Sequence, residues 1–264
     1  MIYVGIFLVV LGIVSIFINV FNKRKLFNIK ATQTFKAKDI NDLCESVKEE
    51  IGPGSFNKVL EVKGFIRSDN PLIAELSGQE CVYYSMKVTR EYEEKYTAYE
   101  NNRPVTRTRR GSEIISSNTQ SVHFYVEDDT GKILVNPNDA SIDGIKSVDR
   151  FEPHTSNTGT LRFGNFSLPI SISSGSRTLG YRYVEEIIPI NRRVYVLGEA
   201  SDSSGELMVQ KPKDKKETFL ISLRSEEEII ASTEKIVKLS LIGAILGLSI
   251  GIILIVISII NNDF

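Results

Sequence analysis

"VYVLGEASDSSGELMV", residues 194–209, sets two apolar runs on either side of a polar turn at Asp202–Gly205. Valine, leucine and tyrosine suit the half-buried, pleated surface of a strand, and a short Asp/Ser/Gly passage between two such runs reads as a β-hairpin. This hairpin fits a small OB-like barrel. Alternation alone does not decide whether the surrounding strands close, so a barrel and a two-layer sandwich both stay open.

The same period-two pattern recurs upstream. "KVLEVKGFI" (58–66) reads as a first strand, and in "CVYYSMKVTREYEEKY" (81–96) Val82, Tyr84, Met86, Val88, Tyr92 and Tyr96 share one side of an extended chain. Asn101–Pro104 offers a turn, after which "VTRTRRGSEIISS" (105–117) returns as a partner strand. "SVHFYVEDDTGKILVNP" (121–137) is the clearest hairpin, its turn at Asp128–Gly131, with Gly131 expected to supply a positive φ. The polar Gly- and Ser-rich passage around 152–180 reads as a loop or weakly structured insertion. Ahead of the strands, Lys36–Gly52 has helical spacing, with Asp39 able to cap it, Ile40, Leu43, Val47 and Ile51 on one face and Cys44 beside them.

The two ends are of another kind. Ile2–Phe21 and Leu239–Ile260 carry no charged residue, and each holds 15 residues drawn from Leu, Ile, Val and Phe. Each is long enough to cross a hydrocarbon core of about 30 Å as a helix. The first lacks the basic start and short apolar core of a signal peptide and is expected to be a retained anchor. Ser225 followed by Glu226, Glu227 and Glu228 is a capping-box start for a helix that continues into the second span. Lys23, Arg24 and Lys25 follow the first span, while Arg224, Lys235 and Lys238 precede the second. The positive-inside rule then puts the middle of the chain in the cytosol.

The segment between the spans holds 64 of the 65 Lys, Arg, Asp and Glu residues. These charges nearly cancel, giving a formal net charge of −1 for the chain, so nucleic acid is not expected as a partner. The divisions expected are a transmembrane helix (1–21), a basic juxtamembrane segment with a short helix (22–57), a β-rich domain (58–224), an amphipathic helix (225–238), a second transmembrane helix (239–260) and a tail (261–264). The fold class is membrane-anchored α+β: two transmembrane helices flanking a β-rich domain.

Reactive residues are few. Two cysteines and two histidines form neither a C-x-x-C nor a zinc-ligand spacing, and no cofactor, metal site or catalytic residue is expected. Cys81 opens an apolar strand, which points to a buried structural residue; pairing with His123 as nucleophile and base is the competing reading. His154 belongs to no H-E-x-x-H. Asp129-Thr130-Gly131 spells the aspartic-protease triplet once, and a hairpin turn accounts for it better, since that chemistry needs two facing carboxylates. Arg103, Arg107, Arg109 and Arg110 gather near a hairpin tip and, with Lys23, Arg24 and Lys25, could meet anionic headgroups; the competing reading is a solvated loop balanced by Glu91, Glu93, Glu94 and Glu100. Gly243, Gly247 and Gly251 recur every fourth residue, the spacing that lets membrane helices approach closely, either with the first span or in a homo-oligomer.

Taken together, "VKGFI" (62–66), "PLIAELSGQECVYY" (71–84), "FYVEDDTGKILVNP" (124–137), "YRYVEEIIPINRRVYVLGEA" (181–200) and "ISLRSEEEI" (221–229), set between two spans, resemble the GIDE family, whose middle region is also called the BAM ("beside a membrane") domain. The resemblance implies a two-pass membrane protein in which Cys81 and Gly131 are framework residues. Eukaryotic members of the MAPL type are E3 ubiquitin or SUMO ligases that act through a zinc-binding RING after the second span. No Cys or His follows His154 here, so the expectation is a RING-less, prokaryotic-type member that binds an unidentified protein partner or acts as a membrane-surface scaffold. The alternative is E3 ubiquitin transfer by family likeness.

Overall fold

The computed structural model describes residues 1–100, 102–153, 159–164, 166–169 and 176–261. Two helices, α1 (Ile2–Ala31) and α2 (Ala37–Glu50), precede β1 (Asn57–Arg67). The chain passes through β2 (Leu72–Ile73), β3 (Glu80–Glu100) and β4 (Arg103–Ser121) before β5 (Phe124–Glu127) and β6 (Lys132–Val135). Then come β7 (Ser141–Asp143), β8 (Ile145–Pro153), β9 (Thr160–Phe163), β10 (Phe166–Pro169) and β11 (Ser176–Pro189). β12 (Arg193–Ser201), β13 (Met208–Gln210), β14 (Leu220–Ser222) and α3 (Glu226–Ile260) complete the fold.

Among the described residues, five strands close on themselves in the order β1-β5-β6-β13-β12-β1. β6 and β13 run parallel, and the other pairs of the ring are antiparallel. This is an OB-like Greek-key barrel. Closure leaves β1 and β12 without a free edge and decides the barrel against the sandwich. Inward-pointing Leu60, Val62 and Ile66 of β1 meet Val194, Val196, Phe124, Val126 and Ile133 in the barrel core. Gly64 sits where β1 crosses β5; a Cβ there would stand 2.3 Å from the Glu127 carbonyl oxygen, so no larger residue fits.

The second sheet is made from two insertions into the barrel connections. β2, β3 and β4 come from between β1 and β5, and β8 and β11 from between β6 and β12; that second segment also holds β7, which pairs with β14 on the barrel sheet, and the separate β9–β10 pair. β3 pairs with β11 along one edge and with β2 and β4 along the other; β8 lies outside β11. Its own core contains Cys81, Tyr84, Met86, Val88, Tyr183 and Ile187.

Four expectations are corrected here. α2 begins at Ala37 with Lys36 as N-cap, so Asp39 does not cap it. The β5–β6 turn supplies that function from a distance, as Asp128 Oδ2 accepts from Ala37 N at 2.8 Å and Thr130 Oγ1 from Lys38 N at 3.2 Å. Docking at that end turns Ala37, Ile40 and Cys44 inward, leaving Leu43 exposed and Ile51 71% exposed. Gly131 is not among the residues with positive φ. The Asp128 side chain makes the turn instead, accepting from Thr130 N at 2.7 Å and Gly131 N at 3.1 Å. Finally, the 152–180 region contains the β9–β10 hairpin and the start of β11, because Ser176 to Tyr181 pair with Glu94 to Arg90 of β3. His154 lies outside the described residues.

Both terminal helices are long and apolar enough to cross a membrane. α3 starts with a complete capping box between Ser225 and Glu228. α1 and α3 pack side by side through small residues. A Cβ on Gly251 would lie 2.8 Å from the Gly5 carbonyl oxygen, and one on Gly12 would lie 2.9 Å from Leu248 Cγ.

Candidate functional site

The helices and the barrel meet on the outer wall of β1 and β12. Every residue of β12 from Val194 to Ser201 is buried, because Val194 and Val196 face the barrel core while Tyr195 and Leu197 face outward against Ile29 of α1 and Ile229 of α3. This two-sided burial is why the run shows so few polar residues. Immediately after α1 the chain runs beside β1, where Glu61 N donates to the Gln33 carbonyl at 3.1 Å and Phe35 N to the Glu61 carbonyl at 2.9 Å. Asn28 of α1 donates to the Lys216 carbonyl at 3.0 Å, which fastens the same helix to the β13–β14 loop.

A polar cluster is sealed inside this junction. Glu61 is 2% exposed and faces Tyr195. Burial pushes the Glu61 carboxyl above the usual carboxylate range, against the opposing pull of Tyr195 and Lys63. Burial and the neighbouring Glu61 together drive the Tyr195 phenol far upward. Neither Glu61 Oε2 nor the Tyr195 hydroxyl makes a well-formed hydrogen bond. Lys63 beside them donates to Glu226 Oε2 of α3 at 2.6 Å and to Thr34 Oγ1 at 3.1 Å. One lysine thus joins the barrel wall, the exit from α1 and the start of α3. A groove of about 450 Å³ opens here between Lys63, Arg193, Tyr195, Arg224 and Glu226.

The expected site residues fall into separate places. Cys81 is fully buried in the second core, where burial and then the Glu185 carboxylate push its thiol up to about 11. A reactive cysteine needs a depressed pKa and access, and Cys81 has neither. Cys44 lies in the barrel core with its thiol also raised by burial. Among the described residues no group of three or more His, Cys, Asp or Glu could hold a metal ion. Arg107, Arg109 and Arg110 on β4 pair across the ribbon with Glu100, Glu94 and Glu93, and Arg103 stands opposite Glu100 in register. Gly243, Gly247 and Gly251 face α1: added Cβ atoms would lie 3.4 Å from Ser15 Oγ, 3.0 Å from the Leu8 carbonyl oxygen and 2.8 Å from the Gly5 carbonyl oxygen. Lys23, Arg24 and Lys25 lie on α1 just past its charge-free stretch, and Arg24 and Lys25 face the β13–β14 loop across a cavity.

Two further residues, Glu185 and Asn19, do structural work outside the expected site set. Glu185 is fully buried and accepts from Leu76 N at 2.7 Å, Ser77 N at 3.0 Å and Ser147 Oγ at 2.8 Å, clamping the β2–β3 turn. Asn19, an amide inside an apolar helix, donates to the Val237 carbonyl at 2.7 Å and Ser240 Oγ at 3.0 Å. A polar residue in a predicted span is itself a pointer to helix contact.

Comparison with known proteins matches residues 93–256 to the model of the GIDE family, described as E3 ubiquitin ligase. Over 188 residues the chain is 25% identical to the E3 ubiquitin-protein ligase SPL1 of Arabidopsis thaliana, covering 69% of this chain and 49% of that protein. The chain therefore spans about half the length of the curated relative it matches. No solved structure matches.

Proposed function

Because the chain belongs to the GIDE family, we propose that it is a two-pass membrane scaffold whose β-rich domain presents the β3–β4 ribbon to a protein partner on the cytosolic side. The observation that carries this reading is the ribbon itself. Lys95–Glu100 and Arg103–Thr108 pair with each other, beyond the last pairing with β11 among the described residues, at Glu94. Tyr99 at its end is 75% exposed and Ile114 further down β4 is 62% exposed. Among the described residues the outer edge of β4 pairs with no strand, so it offers backbone donors and acceptors to an extended peptide. The basic residues beside both spans support a cytosolic domain.

A photo-crosslinking residue at Tyr99 tests the binding role in intact cells. One discrete adduct at Tyr99, and none at Ile51, is the expected result; identical patterns at both positions would sink the proposal. Orientation is tested separately by a single cysteine at Asn102 in a chain lacking Cys44 and Cys81. Labelling by an impermeant maleimide should require opening the membrane.

A second reading, participation in ubiquitin transfer, rests on the family description and on the ligase that the chain resembles. A RING holds about eight Cys and His ligands around two zinc ions. These 264 residues contain two of each. On that reading the ribbon and junction would position a substrate, with the ligand set supplied from elsewhere. Ubiquitin conjugates whose yield is unchanged by deletion of residues 95–108 would remove the support for this second reading.

A further inference from the structure

Where α1 leaves its charge-free stretch, it and the β13–β14 loop enclose a cavity of about 300 Å³, whose cationic lining is Arg24, Lys25, Lys211, Lys215 and Lys216. That volume is at the lower end of ordinary small-ligand sites. Three acidic residues, Asp139, Asp214 and Glu217, also line it. Asp139 is paired with Lys211 at 3.2 Å, and Asp214 accepts from Lys216 N at 2.8 Å. Among the described residues Arg24, Lys215 and Lys216 make no ion pair, while Lys25 also feels the Asp143 carboxylate. The loop is held in place rather than resting there, since Asn28 Nδ2 donates to the Lys216 carbonyl at 3.0 Å and to Thr218 Oγ1 at 3.2 Å.

Depth identifies what this cavity faces. Phe21 is the last residue of the first charge-free stretch, and Asn19 is level with Ser240, next to the first residue of the second. Arg24 comes three residues after Phe21, about 4.5 Å along the helix. The headgroup layer on one side of a bilayer is roughly 5–7 Å thick. The cavity therefore opens within that layer. Phe21, 71% exposed, forms its lower lip, with the exposed Phe17 one turn further into the apolar stretch.

We propose that this cavity seats the phosphate of an anionic lipid headgroup from the leaflet facing the domain, with the acyl chains running along Phe21 and Phe17. The proposal rests on the reading that α1 and α3 span a bilayer. Phosphate chemistry suits unpaired Arg and Lys donors, and the adjoining apolar lip selects a lipid over a free phosphate. The seat would fix the depth and rotation of the domain on the membrane, because the loop that holds the headgroup connects β13 to β14 on the barrel wall.

The test uses the full chain in nanodiscs containing equal phosphatidylglycerol and phosphatidylcholine, with retained lipid counted by native mass spectrometry after extraction. The wild-type chain should retain phosphatidylglycerol selectively. The R24Q/K215Q/K216Q variant should lose that selectivity by at least about tenfold, since each cation removed beside an anionic surface is worth about a fivefold change. R107Q/R109Q/R110Q, whose arginines are already paired, should match wild type. Equal selectivity in wild type and R24Q/K215Q/K216Q would overturn the site. So would millimolar inorganic phosphate protecting Lys215 and Lys216 from acylation as well as phosphatidylglycerol does, because the ligand would then be a free anion. Release of the wild-type chain from vesicles by alkaline carbonate would instead defeat the spanning reading itself. A chain that stays in the vesicles without lipid selectivity defeats the site alone.

Discussion

The β3–β4 ribbon and the junction between barrel and helices are both rich in charge, yet they use it differently. In the ribbon Glu93, Glu94 and Glu100 lie across from Arg110, Arg109 and Arg107. These are solvent-exposed pairs, each worth about 0–1 kcal/mol, so they cancel a surface charge more than they hold a fold together. In the junction, Glu61 and Tyr195 are sealed away from water and Lys63 bridges three elements. The same residue types thus keep one surface neutral and lock another in place. Exposure decides which, and sequence spacing does not report exposure for a polar side chain.

The contrast is broken most directly by truncating one apolar residue on each side. Leu197→Ala at the junction should cost about 2–5 kcal/mol, whereas Ile114→Ala in the ribbon should change stability by no more than about 0.5 kcal/mol. Chemical denaturation of the full chain in detergent reads both, and equal losses would dissolve the distinction. Next in size, Asn28→Ala removes two hydrogen bonds to the β13–β14 loop. It should cost about 1–2 kcal/mol in the same assay and raise hydrogen exchange in that loop.

Glu61 sharpens the comparison through pH. Its folded-state pKa is raised by burial above the ordinary 4.5. The folded protein therefore binds this proton more tightly than the unfolded chain does. The stability this contributes is complete below about pH 4.5 and is lost as pH rises through the folded value. Glu61→Gln should abolish that part of the pH dependence and leave the variant at least as stable as wild type at neutral pH. A difference between the two melting-temperature profiles that does not vary with pH would refute the assignment. The smallest effect belongs to the ribbon: Arg109→Gln should shift the melting temperature by no more than the equivalent of about 0.5 kcal/mol, at low and high salt alike.

Much of this architecture was legible in advance where apolar residues do the specifying. The two long apolar helices, the strand pairs around Asp128–Gly131 and Asp202–Gly205, and the long return of β4 along β3 follow from periodicity and turn chemistry. Barrel closure was not legible, because it depends on β1 meeting β12 across a separation that no local pattern encodes. The stripe on α2 was misread for a related reason. Leu43 and Ile51 are as apolar as Ile40, and only docking of Ala37 against the β5–β6 turn fixes which face turns inward. The cavity beside Arg24 draws three of its four lysines from the β13–β14 loop, some 190 residues along the chain from Asn28, so the basic flank was visible and its enclosure was not.

The pairing of β1 with β12 also sets an order of events during synthesis. Asn57 finds its partner in Ser201, and the intervening chain builds the whole of the second sheet. At ordinary elongation rates of about 5–20 residues per second, β1 leaves the ribosome roughly 7 to 27 seconds before β12 does. Hairpins such as β5–β6 form in microseconds and need no such wait. For that interval β1 is a nascent strand with unsatisfied edges, held close to the bilayer by α1. Its charged residues Lys58, Glu61 and Lys63 interrupt what would otherwise be an aggregation-prone apolar run, and they do so before Tyr195 and Glu226, the later partners of Glu61 and Lys63, have been made.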